Sequence, residues 1–189
     1  MTVILMVIVV SCFAGLARGG TMHNLAQLHL AAWPVVFVAL AVQAAGSFAG
    51  SSLAYVTGML ASAALITLFV ALNRSLPGMP MIALGFLLNA VVVSANGAMP
   101  VDQRAADRAG ISTVGLYRNT DAKHELADGD TALRPLADVI AVPLPRPLHR
   151  GSNVVSVGDI VLAAGIGVLV VNGMLRARPA PRQPAHLRP

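Results

Sequence analysis

The chain has 189 residues, of which 56% are hydrophobic types and only 11% charged, and its mean hydropathy is +0.73. Soluble domains average about 25% charged residues, so this composition excludes an ordinary water-dispersed domain and implies a bilayer as solvent for the apolar faces. The net charge of +5 is carried by scattered basic residues, with aromatics at only 4%; that excludes a nucleic-acid platform and leaves the anionic face of a membrane as the partner of arginines near helix ends.

In chain order, the first apolar stretch covers residues 2–16 and contains Cys12. A single cysteine excludes an internal disulfide. Val9-Val10-Ser11-Cys12 has the look of a lipoprotein cleavage box, but residues 1–8 carry no basic residue and the stretch runs on past Cys12. A cleaved signal starts with positive charge, so Cys12 reads as a small apolar residue of a membrane helix. The 17–29 link holds Arg18, His23 and His29, and its Leu25 and Leu28, followed by Leu30, predict a helix lying along the membrane surface.

The second stretch, 30–46, has Pro34 in its first turn, where a missing N–H costs little. The third, 53–72, matches the roughly 20 residues that a spanning helix needs. The fourth is 79–95 and the fifth 160–175, and no stretch contains Lys, Arg or Glu. Small residues recur at four-residue spacing, as in Gly46 and Gly50 or Gly58 and Ser62, which lets helix backbones approach. Backbone groups in lipid must bond within their own segment, and period-two alternation is absent, so helices and not a barrel are predicted.

Asn89 lies inside the fourth stretch. A polar group there faces protein, and it reads as an interhelical hydrogen bond, with contact to a substrate as the sharper alternative. Asn96 and Gly97 close that helix, since both tolerate the left-handed conformation, and Pro100 stops any continuation. Residues 96–153 then form a loop of 58 residues, predicted to be mostly irregular. It holds His124 and His149, at no spacing that matches a metal site. Asp128-Gly129-Asp130 reads as an acidic turn. The apolar run 136–145 is expected to fold back on the mouth of the bundle.

Ser156 precedes Asp159 by three residues at the entrance of the last helix. This is a capping-box pattern, and the carboxylate also meets the positive end of the helix dipole. The functional alternative is a carboxylate at the membrane surface acting as acid or base. That role needs a second carboxylate of unequal pKa, for which Asp138 and Asp102 are the candidates. No nucleophile elbow, phosphate loop or dinucleotide fingerprint is present, and no cofactor or metal is expected. Residues 176–189 form a Pro- and Arg-rich tail, expected to be disordered.

Five spans place the two termini on opposite sides. The short links and the tail share one side and hold Arg18, Arg74, Arg176, Arg178, Arg182 and Arg188, with no acid. By the positive-inside rule that side is cytoplasmic, so the N-terminus and the long loop lie outside.

The run LPGMPMIALGFLLNAVVVSANGAMPV at 76–101, Lys123-His124, Thr131, the 136–145 segment and VSVGDI at 155–160 together resemble a bacterial membrane family, domain of unknown function 5317. The likeness covers most of the chain in the same order. Ala98 stands where a second Gly is expected and Ala141 where Pro is expected. The resemblance implies a multi-pass protein of the bacterial cytoplasmic membrane and no particular chemistry. A fainter likeness is to lipoprotein signal peptidases, whose Asn-x-Ala-Asp entering a final helix is similar to Ser156-Val-Gly-Asp159. Here the Asn is missing and no Asn-x-x-Asp-Arg motif occurs.

The predicted fold is therefore all-α, an integral membrane bundle of about five helices with an outer loop. The leading function is non-enzymatic: the loop binds a lipid, a small ligand or another membrane protein. The alternative is an aspartate-dependent hydrolase of membrane substrates using Asp138 and Asp159. A transporter is disfavoured, because no inverted repeat and no charge inside a span is visible.

Overall fold

The computed structural model describes residues 2–113, 123–145 and 152–176. His149 and the tail beyond Arg176 lie outside them. Seven α-helices occur among the described residues: α1 (Thr2–Ala17), α2 (Met22–Ala26), α3 (Pro34–Phe48), α4 (Ser52–Leu72), α5 (Met79–Asn96), α6 (Gln103–Ala109) and α7 (Val157–Leu175). The longest three, α4, α5 and α7, have 21, 18 and 19 residues and are long and apolar enough to cross a membrane. The apolar helices α1 and α3 have 16 and 15 residues. At 1.5 Å per residue they rise roughly 24 and 22 Å, against about 30 Å of hydrocarbon.

The start of α3 is later than the apolar pattern suggests, and the reason is local. Ala32 has φ +53°, in the left-handed region, which interrupts a right-handed helix. The buried Asn73 at the end of α4 holds this kink. Its Oδ1 accepts from the Ala31 amide at 2.8 Å and its Nδ2 donates to the Ala31 carbonyl at 2.9 Å. Pro34 then opens α3. The surface helix predicted around Leu25–Leu30 is shorter and ends before Leu28. Thr21 caps α2 by accepting from the Asn24 amide at 3.1 Å, and the helix ends at Ala26.

The long helices form a row in which α3 packs on α4, α4 on α5, α5 on α7, and α7 on α1. Close approach is achieved with small residues. Gly46 and Gly58 meet across the α3–α4 contact, and Gly85 rests on Gly158 and Leu162 across α5–α7. A Cβ at Gly158 would collide with the side chain of Asn89. Large apolar side chains such as Leu53, Leu60, Leu68 and Leu72 point outward from α4. Water would penalise such a face; hydrocarbon would not.

The described part of 96–153 is more ordered than predicted. It carries the strands β1 (Met99–Val101), β2 (His124–Leu126) and β3 (Ile140–Val142), and a 3₁₀ turn at Arg134–Leu136. β1 pairs with β2 in parallel, and β3 pairs antiparallel with β4 (Asn153–Val155). Strands of three residues leave no alternation for a sequence to display. This cap sits on the bundle through Met99 and Ala137, which are buried with Tyr55 and Met59 of α4 and Val92 and Val93 of α5, while Leu136 and Val139 pack against them. Its own small core joins Val101 and Val154 to Ala105, Ala106 and Ala109 of α6.

Candidate functional site

Two polar sites lie where the cap meets the helices. The first is built at the N-terminus of α7. The Ser156 hydroxyl accepts from the Asp159 amide at 2.9 Å, and Asp159 Oδ2 accepts from the Ser156 amide at 3.4 Å, a complete capping box. Asn89 of α5 locks onto it from the side. Its Nδ2 donates to Asp159 Oδ1 at 2.7 Å, and its Oδ1 accepts from the Ser156 hydroxyl at 2.8 Å. Both carboxylate oxygens of Asp159 are thus engaged. Ser156 is fully buried and both its donor and acceptor are used, as burial of a hydroxyl requires.

The second site surrounds Asp138. Its amide donates to the Pro100 carbonyl and its carbonyl accepts from the Asp102 amide, each at 2.9 Å. These bonds continue the edge of β1 and fix the residue beneath the cap. Asp138 is only 6% exposed, and its Oδ1 is buried with no hydrogen-bond partner. Burial pushes its pKa up to about 8, and the nearby charge of Asp159 pushes in the same direction. Asp138 lines a pocket of about 220 Å³. Val101, Ala106, Ile111 and Val154 form its apolar walls, and Ser112, Thr113, His124 and Asn153 its polar ones. Asp159, Asn89 and Ser156 do not line it.

The sequence candidates therefore separate. Asp102 serves α6: its Oδ1 accepts from the Ala105 amide at 3.0 Å, and its Oδ2 meets Arg134 at 3.1 Å. The Ala105 hydrogen bond is the main cause of its lowered pKa; partial burial opposes the shift and Arg134 adds to it. Asn96 makes more than a helix end. Its Nδ2 donates to the Val92 and Ala132 carbonyls at 2.8 and 3.1 Å, and its Oδ1 accepts from the Ala132 amide at 2.8 Å. Gly97, with φ +87°, supplies the left-handed turn that follows. Pro100 is fully buried in β1. Asp128 closes its turn by accepting from the Asp130 amide at 2.9 Å and the Thr131 hydroxyl at 3.1 Å. His124 joins Asp138 at the pocket.

Sequence reasoning missed Ser112, Thr113 and Asn153, which reach the pocket only through the fold of the cap. No periodic signal marks them. Another cavity, of about 820 Å³, is an apolar groove between α4 and α5, and none of its described lining residues is titratable. Among the described residues, no three His, Cys, Asp or Glu side chains gather in a way that could hold a metal ion.

A row of apolar helices, three of membrane-spanning length, bearing a small mixed cap with a buried carboxyl group, defines a membrane-type helical protein. The chain belongs to the family of unknown function DUF5317, which matches it over residues 25–171. The match includes both polar sites. No curated protein and no solved structure matches the chain.

Proposed function

We propose that this protein is a non-enzymatic, multi-pass protein of the bacterial cytoplasmic membrane whose outward-facing cap binds a small polar ligand in the Asp138 pocket. The carrying observation is the Asp138 carboxyl group, buried with an unpartnered oxygen beside a cavity. An unsatisfied buried polar atom costs roughly 1–3 kcal/mol, and a ligand that reaches it would offset that cost. The volume lies below the roughly 300–1,000 Å³ of drug-sized sites, which points to a small molecule or a small headgroup.

The topological part of this reading rests on charge. Arg18 ends the α1 side, Arg74 lies between α4 and α5, and Arg176 follows α7, all three exposed and at the end opposite the cap. The positive-inside rule then places the cap outside and the tail in the cytoplasm. Five crossings need α1 and α3 to borrow flanking residues or to sit where the bilayer is thin.

The hydrolase reading has one observation in its favour, the raised pKa of Asp138 with Asp159 nearby. Against it, both Asp159 oxygens are engaged by Asn89 and Ser156, and the two carboxyl groups do not share the pocket. The test is extraction. The full chain is purified from its native membranes and denatured, and the small molecules released are compared by mass spectrometry with those from Asp138→Asn. A species retained only by the unaltered chain is the expected result. Identical sets from the two proteins would remove the binding function.

A further inference from the structure

We propose that the Asp138 pocket takes a primary ammonium group, borne either by a small soluble amine or by the headgroup of an ethanolamine lipid. This inference rests on the reading that the pocket binds a ligand, and it names the chemistry. Asp138, whose carboxyl group has an unpartnered oxygen, lines the pocket, and among the described residues no Lys or Arg does. Ser112, Thr113 and Asn153 are polar residues of the same lining. An ammonium offers three donors and a positive charge, which matches a carboxyl oxygen that has no partner. An anion would meet both the Asp138 carboxyl and the field of Asp159. A bare metal ion lacks ligands there, since no three suitable side chains gather among the described residues. The apolar walls made by Val101, Ala106, Ile111 and Val154 suit a short carbon chain behind the nitrogen. At roughly 30 Å³ per water-sized group, the cavity admits about seven non-hydrogen atoms.

Binding would change the protonation of Asp138. The neutral carboxyl group gives its proton to solvent as the ammonium arrives, so charge is balanced within the pocket. Other ionisable groups around it are His124 on β2, Asp159 on α7, and the Asp102–Arg134 pair at the start of α6. An alkylammonium stays charged to about pH 10. Its affinity therefore rises about tenfold per pH unit below the Asp138 pKa and levels off above it.

The test uses the full chain in detergent and in lipid nanodiscs. In detergent, calorimetric titration compares ethanolamine and 1-butylamine with 1-butanol, at about pH 7 and about pH 9. In nanodiscs, native mass spectrometry compares retained phosphatidylethanolamine with retained phosphatidylcholine. Binding of the soluble amines with proton release identifies a free amine; selective retention of phosphatidylethanolamine alone identifies the headgroup. Either supports the proposal, provided that Asp138→Asn weakens it at least about thirtyfold, the loss expected on truncating a buried charge pair. Ala106→Leu, which fills the space and leaves the carboxyl group in place, must weaken it too, and thermal unfolding confirms that both variants are folded. Butanol binding as well as butylamine, unchanged amine binding by Asp138→Asn, or failure of both arms overturns the ammonium assignment. If the native-membrane extraction still yields an Asp138-dependent neutral species, the ligand-binding reading stands and only the ammonium falls. If that extraction yields nothing, both fall together.

Discussion

At the residue scale, Asp138 makes stability depend on pH in a direction opposite to that of most carboxylates. Its unfolded pKa is near 3.9 and its folded one about 8, so the folded chain holds an extra proton between those values. Its contribution is most favourable below about pH 4, weakens by up to about 1.4 kcal/mol per unit as pH rises, and levels above the folded pKa. Asp138→Asn should flatten that slope and be more stable than the unaltered chain at neutral pH, as denaturant midpoints across the range would reveal. A variant that keeps the slope would refute the buried-acid account. Asp102 works the other way. Its lowered pKa stabilises at neutral pH and the gain is lost as acid protonates it. The share that Arg134 adds is small, because its side chain is 53% exposed and exposed pairs contribute about 0–1 kcal/mol. Ser156→Ala removes a cap and a buried partner of Asn89, so a loss of about 1–2 kcal/mol is expected in the same assay. Ser156 and Asp159 were legible as a pair because their partners are three residues apart. Asn89 was legible as a helix-facing polar group but its partners were not, since they lie 67 and 70 positions away.

At the element scale, the helices follow from apolar runs, and their ends follow from interactions that the runs do not encode. The delayed start of α3 depends on Asn73, 42 positions from the Ala31 that it holds. The three-residue strands of the cap were invisible because a strand that short has no period. The contact of α5 with α7 gives a sharper expectation. A methyl group at Gly158 meets Asn89 and the Gly85 carbonyl, so Gly158→Ala should cost about 1–3 kcal/mol through overpacking. Thermal unfolding in detergent measures it, and a neutral outcome would show that α5 and α7 can separate freely. Asn96→Ala removes three hydrogen bonds at the foot of the cap. Faster hydrogen exchange at the Ala132 amide, without change in the middle of α5, is the expected result.

At the scale of the whole molecule, the apolar surface of α4, α5 and α7 decides the solvent. The purified chain should aggregate when detergent is removed and remain dispersed when it is kept, which light scattering checks. A fluorescent reporter that folds only in the cytoplasm, fused after Pro189, should be bright; a dark fusion of full length would reverse the proposed orientation. One connection also constrains how the chain is made. β4 ends at Val155 and α7 begins at Val157, with Ser156 alone between them. The strand that completes the β3–β4 pair is therefore tied directly to α7, which follows it in the chain. Until α7 takes its place beside α5, β3 has no partner and the Asp138 chamber has no Asn153 or Val154 wall. The chamber and the helix row thus mature together, and a nascent chain stopped before α7 would leave its cap half-built.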